Sequence, residues 1–317
     1  METQILHAHE IVPLIDPPRV IDAIAQAYQD FYRGKIQVPF PIQTAMPEGG
    51  AMHHKMAQDG EIFVTKIASY APGNAAKDLE NIQGMMVVHD AVTGVPRAIY
   101  LDRALLTHHR TAAAGAVGAR YLSRPDSRKV LMVGSGRQAE LQLDYLRHVR
   151  PIEEVVVHSA HAENAAAFVE RMREQISSIQ FSTRSSLEEA IAWADIIVTA
   201  TPSRGILIPA DSVVPGTHIN AIGSDGPGKQ ELDPRLLVRA RYVTDSTAQC
   251  AQKGELQHAI RDGLLTVEDV HAEMGAIVAG DKEGRTSPEQ ITIFDSTGLG
   301  AQDLGMVRYM MQRNSKN

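Results

Sequence analysis

Three polar side chains, with Lys55 as a further candidate, and one glycine-rich turn are the places in this chain where residue type and spacing could do chemistry. The turn is the most specific of them. Lys129-Val130-Leu131-Met132-Val133 reads as a short apolar strand that runs into Gly134-Ser135-Gly136-Arg137-Gln138-Ala139. That Gly-x-Gly-x-x-Ala sequence opens a helical pattern of Ala139, Leu141, Leu143 and Leu146. In such a turn the first glycine permits the tight bend and the second lets the backbone approach a pyrophosphate. The small Ala139 lets the helix pack on the strand, with its N-terminal N–H groups facing the anion. Val155-Val156-Val157 supplies a second strand about one βαβ length on, as a dinucleotide cradle requires.

Lys66 lies in Ile62-Phe63-Val64-Thr65-Lys66-Ile67-Ala68, where alternation puts it on the face of Ile62, Val64 and Ala68. Its ammonium therefore sits solvated at a strand end or points into a pocket, where it needs an anionic partner. Lys55, in Met52-His53-His54-Lys55-Met56, poses the same choice. Arg110 precedes Thr111 and the small-residue run Ala112-Ala113-Ala114-Gly115-Ala116-Val117-Gly118-Ala119, a slim helix suited to close approach by another backbone or a cofactor. A guanidinium there forms a surface ion pair or grips a carboxylate through two parallel hydrogen bonds. Asp225 follows the apolar strand pattern ending at Ile222 and stands in a Gly/Pro loop. It is a turn former or a catalytic group beyond the carboxyl end of a sheet strand, where open α/β sheets bind ligands.

Elements that could position these residues follow from periodicity. Asp16 is a candidate N-cap and Pro17 a first-turn residue for a helix whose apolar positions are Val20, Ile21, Ile24, Ala27, Tyr28 and Phe31. It should pack on a sheet built from residues 62–68, 84–89 and 96–101, the last two joined as a hairpin through Asp90-Ala91-Val92-Thr93-Gly94. From about Arg120 the pattern alternates strand and helix, with strands expected at 129–133, 154–158, 195–200, 217–222, 241–244 and 291–295. Thr199 and Thr201 then fall at the ligand edge of a doubly wound sheet. The expected class is α/β: a Rossmann domain over 120–298 and an α+β substrate-binding and dimerisation domain over 1–119, with a C-terminal helix over 299–317 returning to it.

Composition narrows the class further. With 317 residues, 44% of them hydrophobic, the chain can bury two cores. A net charge of −7 argues against a nucleic-acid partner, and a single cysteine, Cys250, excludes an internal disulfide framework. Met1 to Glu10 carries His and Glu where a secretory leader would carry Lys or Arg before an apolar run, and no stretch is long enough to span a bilayer. A cytoplasmic protein is expected. No metal site is expected either, because the pairs His53-His54 and His108-His109 are adjacent and diverge on a strand or helix.

Four blocks in order, Arg110-Thr111-Ala112-Ala113-Ala114, Gly134 to Ala139, His218 to Asp225 with Pro227-Gly228-Lys229, and Phe294-Asp295-Ser296-Thr297-Gly298, resemble the ornithine cyclodeaminase/mu-crystallin family. The resemblance implies a homodimeric NAD(P)-dependent oxidoreductase that interconverts amines and imines of amino acids. It also implies that Lys66 and Arg110 hold the substrate carboxylate and that Asp225 handles the amino or imino nitrogen. Gly298 and Thr111 fall in its cofactor-contacting blocks. Ornithine cyclodeaminases resemble one another in a further arginine and a glutamate before the lysine strand. This chain has no arginine between Arg33 and Arg97 and reads His53-His54-Lys55 where the glutamate would stand.

Ornithine is thereby disfavoured, and Lys55, Lys66, Arg110 and His54 suit an imino acid with a short or acidic side chain, reduced to the amino acid. Iminopropionate, iminosuccinate and pyrroline-2-carboxylate are the expected kinds of substrate. Two other readings stay open: a cyclodeaminase that releases ammonia with only catalytic NAD, and a mu-crystallin-like binding protein. The second strand of the cradle ends in His158-Ser159-Ala160-His161 with no acid before Glu163. Nothing there repels a 2′-phosphate, and Ser159 and His161 could donate to it, so NADP is expected slightly ahead of NAD.

Overall fold

The computed structural model describes residues 3–314. The chain forms two compact units, one running to Thr111 and resumed from Leu299, the other Ala112–Gly298. The first holds β1 (Gln4–His7), α1 (Ala8–Ile11), α2 (Pro17–Tyr32), β2 (Ile42–Ala45), β3 (Ala51–Gln58), β4 (Ile62–Tyr70), β5 (Ile82–Asp90) and β6 (Pro96–Leu101). Asp16 takes the N-cap position of α2 in extended conformation with Pro17 behind it, but its side chain turns to Arg19 instead of capping. Val20, Ile21, Ile24, Ala27 and Tyr28 are buried at helical spacing, as their periodicity requires.

Six strands pair in the order β1-β6-β5-β4-β3-β2, three more than the apolar runs alone indicate. The extra ones lack the apolar alternation that marks a half-buried strand: β2 is exposed throughout, and β3 carries Met52-His53-His54-Lys55-Met56. β3, β4, β5 and β6 are antiparallel neighbours, and β1 runs parallel to β6. α2 and the C-terminal helix α11 (Gly300–Asn314) pack on each other, and α11 also packs on β3 and β4. Two glycines allow that closeness. A Cβ on Gly300 would stand 2.2 Å from the Met56 carbonyl oxygen, and one on Gly305 would stand 2.7 Å from the Ala27 Cβ.

The chain enters the second unit within α3 (Leu105–Leu122) and continues through β7 (Lys129–Val133), α4 (Arg137–Leu146), β8 (Glu154–His158), α5 (Ala162–Gln175), β9 (Gln180–Thr183), α6 (Leu187–Trp193), β10 (Ile196–Thr199), β11 (Arg204–Ile208) and β12 (His218–Ala221). There follow β13 (Gln230–Leu232), α7 (Pro234–Arg239), β14 (Arg241–Thr244), α8 (Thr247–Lys253), α9 (Leu256–Arg261), β15 (Ala272–Glu273), α10 (Met274–Val278), β16 (Thr292–Asp295) and α11 (Gly300–Asn314). Eight parallel strands lie in the order β15-β14-β16-β12-β10-β7-β8-β9, with β11 and β13 as a separate pair. The chain leaves β7 in one direction for β8 and β9 and in the other for β10 and β12. That reversal opens a crevice between the carboxyl ends of β7 and β10, the topological switch point of a doubly wound sheet.

β7, β8 and β10 each feed both cores. Leu131 and Val133 of β7 enter one hydrophobic cluster, Val130 and Met132 the other, so the strand reads as a continuous apolar run. The small-residue face of α3 is closely covered. A Cβ on Gly115 would lie 2.0 Å from the Gln142 Oε1 and one on Gly118 2.5 Å from the Phe294 Cδ1. No helix among the described residues is long and apolar enough to cross a membrane.

Candidate active site

In the first unit, Lys66 of β4 and Arg110 of α3 converge on one carboxylate, Asp303 of α11. The Lys66 Nζ lies 3.4 Å from Oδ2 and the Arg110 Nε 3.1 Å from Oδ1. The three residues are 2%, 5% and 1% exposed, so both cations point inward and the solvated reading of each falls away. Gln302 joins them: its Oε1 accepts from the Arg110 Nη1 at 2.6 Å and from the Leu299 N–H at 3.1 Å, while its Nε2 donates to the Tyr28 hydroxyl. Lys55 stands directly across from Lys66 in the β3–β4 register and is also buried.

His54 pairs with Ile67, which places it on the opposite face of the sheet from Lys66. This corrects its expected grouping with Lys55: side chains alternate with period two, and His53 is the histidine that shares the lysine face. Arg110 owes its position to the turn before α3. Arg103 and Ala104 adopt φ of 51° and 65°, and the Asp102 carboxylate accepts from the Ala104 and Leu106 N–H groups at 3.3 and 2.8 Å. Burial pushes Asp102 up to about 6 against those hydrogen bonds and the nearby Lys66 charge.

In the second unit the glycine turn has the geometry its sequence implies. Gly134 has φ of 117°, and a Cβ there would strike the Ala200 carbonyl oxygen at 2.6 Å across the crevice. A Cβ on Gly136 would meet nothing within 4 Å, so the backbone there faces open space at the start of α4. Ser135, Arg137 and Gln138 ring that opening while Ala139 is buried against the strand. Ser159, one residue beyond β8, places its hydroxyl 3.1 Å from that of Ser135, and His161 is the exposed N-cap of α5. These residues fit a dinucleotide: a tight turn, an open second glycine, a helix N-terminus and hydroxyls at the end of the second strand.

Thr199 and Thr201 separate. Thr201 is partly exposed beyond β10, whereas Thr199, expected at the same ligand edge, is wholly buried as the last residue of β10 and faces Glu231. Thr111 donates its hydroxyl to the Thr107 carbonyl oxygen at 2.9 Å. Gly298, with φ of 80°, donates its N–H to Asp245 at 2.6 Å, and its carbonyl oxygen accepts from the Gln249 amide at 2.9 Å. Asp225 lies beyond β12 as its position in the chain implies, about half exposed and ion-paired with Lys229 at 2.7 Å.

Several functional-looking groups were not legible beforehand. Asp303 stands in the first turn of α11, where an acid is an ordinary helix feature. Glu231, Glu255, Asp245 and Asp295 form a buried acidic row under the loops of the second unit. Glu255 accepts from the Glu231 and Leu232 N–H groups at 2.8 and 3.2 Å, and Asp295 accepts from the Glu255 N–H at 2.8 Å. Burial, and the neighbouring Asp245 charge, push Asp295 up to about 7 despite the Tyr242 hydroxyl it accepts from. Among the described residues no cluster of three or more His, Cys, Asp or Glu is placed to hold a metal ion.

Comparison with known proteins gives these features a context. Alanine dehydrogenase of Archaeoglobus fulgidus is 39% identical over 321 residues, spanning 100% of this chain and 97% of that protein. Iminosuccinate reductase of Paracoccus denitrificans is 37% identical over 309 residues, 96% of this chain and 94% of that protein. Among solved structures, an archaeal alanine dehydrogenase dimer with bound NAD matches with a TM-score of 0.93 at 37% identity, covering 100% of this chain and 97% of that one. Delta(1)-pyrroline-2-carboxylate reductase of Thermococcus litoralis, solved with NADH and L-proline, matches with a TM-score of 0.93 at 29% identity, covering 99% and 98%. These relatives are oxidoreductases of amino and imino acids. The family model for ornithine cyclodeaminase/mu-crystallin matches residues 1–317, and the chain belongs to that family.

Proposed function

We propose that the protein is an NAD(P)H-dependent reductase of imino acids, converting a C=N bond next to a carboxylate into the amine of an amino acid. The observation that carries this reading is the convergence of Lys66 and Arg110, buried, on the Asp303 carboxylate in a chain that also holds an open dinucleotide cradle. Two fixed cations at that spacing suit a substrate carboxylate, and Arg110 adds a planar fork for bidentate contact. Lys55 beside Lys66 makes this face more positive still, which favours a short or acidic side chain over one ending in an ammonium.

The nicotinamide, when bound, supplies the hydride, so the protein's own work is placement of substrate and charge. Lys66 and Arg110 hold the carboxylate. Asp225 holds the nitrogen, and its negative charge keeps the C=N group protonated, which makes the carbon the better hydride acceptor. Cofactor choice rests on the Ser159–His161 turn, which offers hydroxyl and imidazole donors but no carboxylate, and we infer acceptance of NADPH alongside NADH. We also infer a homodimer. In support, the archaeal alanine dehydrogenase was solved as a dimer, and the sheet face away from α2 and α11 leaves Met56, Phe63, Ile67, Val87 and Ile99 partly exposed.

The test is NADH and NADPH absorbance decay with pyruvate, oxaloacetate or glyoxylate plus ammonia or methylamine, and with pyrroline-2-carboxylate, beside ammonia release from ornithine with NAD. Cofactor oxidation by an imine is expected. Asp225→Ala should abolish it while NADH binding, read by fluorescence, persists. Ammonia from ornithine without net cofactor change would replace this reading with a cyclodeaminase.

A further inference from the structure

Glu231 lies on the short strand β13, outside the main parallel sheet, and is fully buried. Its carboxylate nonetheless joins two loops at the carboxyl ends of the main strands. Oε1 accepts from both the N–H and the hydroxyl of Thr201, each at 2.7 Å, and Oε2 accepts from the Gly223 N–H at 2.9 Å. The first loop follows β10 and, through Ala200, lies against Gly134 of the dinucleotide turn. The second follows β12 and leads in two residues to Asp225. Gly223 is required for this junction, because a Cβ there would sit 2.4 Å from both the Glu231 Oε1 and the Thr201 carbonyl oxygen.

Glu231 is itself held in place. Its backbone N–H donates to the Glu255 Oε1 at 2.8 Å, and the Glu255 N–H donates to Asp295 at 2.8 Å. The Ser224 hydroxyl donates to the Lys229 carbonyl oxygen at 2.9 Å, which closes the Asp225 loop onto the start of β13. A buried carboxylate that spends both oxygens on donors from two separate loops fixes their spacing more tightly than either loop can alone.

We propose that Glu231 is a positioning residue of the imine reduction, setting the distance between the cofactor-side loop at Thr201 and the Asp225 loop. The proposal rests on the reductase reading. Hydride transfer depends on alignment to within about 1 Å, and a misplacement of that size costs roughly hundredfold in rate. Loosening the clamp therefore slows the chemical step more than it weakens binding of substrate.

The experiment is Glu231→Gln in the full-length protein. Glutamine keeps the shape but offers one acceptor oxygen, so one of the two loops is released. Expected are a fall in kcat of about tenfold or more with a much smaller change in KM for the imine, and a larger primary isotope effect with C4-dideuterated NADH, because hydride transfer becomes more rate-limiting. NADH affinity, read by fluorescence, should weaken several-fold through Thr201. A variant whose active fraction keeps the wild-type kcat, isotope effect and NADH affinity overturns the proposal, whatever its melting temperature. Should Glu231→Gln fail to fold, Thr201→Val removes one donor only, and the same three readouts should shift in the same direction by less; unchanged values overturn the clamp. Wild-type protein that reduces no imine would overturn the reductase reading separately, and NADH affinity would still decide the clamp.

Discussion

Lys66 and Arg110 are tolerated inside the protein because Asp303 offsets part of the cost of taking two cations out of water. Removing one partner of such a buried group typically costs about 3–5 kcal/mol, so the site and the stability of the first unit are coupled. Ser159 is a gentler place to intervene. Its hydroxyl lies 3.1 Å from that of Ser135, beside the glycine turn, where a carboxylate would accept from ribose hydroxyls and repel a 2′-phosphate. Ser159→Asp is expected to lower the NADPH-to-NADH ratio of kcat/KM by about tenfold or more, measured with one imine and both cofactors; an unchanged ratio would mean that Ser159 does not face the ribose. At this scale Lys66 and the glycine turn stand out because each interrupts or ends an apolar pattern, Arg110 by the small-residue run after it and Asp225 by the Gly/Pro loop that holds it. Asp303 and Glu231 were not, because an acid in a helix's first turn or on a three-residue strand signals nothing until the fold brings its partners to it.

Among the elements, β12 shows why a polar strand can be central. His218 and Asn220 lie wholly buried there, with the His218 Nδ1 3.0 Å from the Thr292 Oγ1, its Nε2 3.0 Å from the Asn220 Oδ1, and the Asn220 amide donating to the Gly115 carbonyl oxygen at 2.9 Å. The strand is thereby tied to β16 and to α3. Burial, with the neighbouring Arg285 charge, depresses His218 from 6.5 to about 3. Because the folded value lies below the unfolded one, the unfolded chain takes up the proton first. The contribution is full above 6.5 and is lost as pH falls through about 3. Its full size is on the order of 5 kcal/mol. Urea unfolding followed from neutral to acid pH should show this slope, and His218→Gln should flatten it while lowering stability at neutral pH; an equally steep acid limb in the variant would assign the slope to other groups. The six parallel strands expected for the second unit lie within a residue of their expected ends, because buried parallel strands write themselves as apolar runs. β3 stayed hidden because its buried face is built from His53, Lys55 and Ala57, a pattern that only the site explains.

At the scale of the whole molecule, the six-stranded sheet has two unequal faces. One carries Val64, Lys66, Met86 and Tyr100 and is buried. The other carries Met56, Phe63, Ile67, Val87 and Ile99, all only partly buried, with Met85 and Ile5 more exposed still. Strand spacing of ~4.8 Å and a length of ~20 Å give this face a flat footprint of roughly 500 Å². Two copies meeting there would cover roughly 1,000 Å² before side-chain relief is counted, which reaches the range of a specific interface. Its apolar residues are interleaved with His54, Thr65 and His89, and a second copy, with the same face, is a complement of matching composition. Ile67 stands on β4 between His54 and Met85 in the register, near the middle of the face. Ile67→Glu would bury a carboxylate with no partner in that interface, a cost of several kcal/mol counted twice by symmetry. Sedimentation velocity should find a dimer for the wild type and a monomer for the variant. The variant's far-UV circular dichroism and NADH affinity should be unchanged, because Ile67 points away from the Lys66 face and the dinucleotide turn belongs to the other unit. A variant that stays dimeric would place the contact on another surface and leave this face to a different partner.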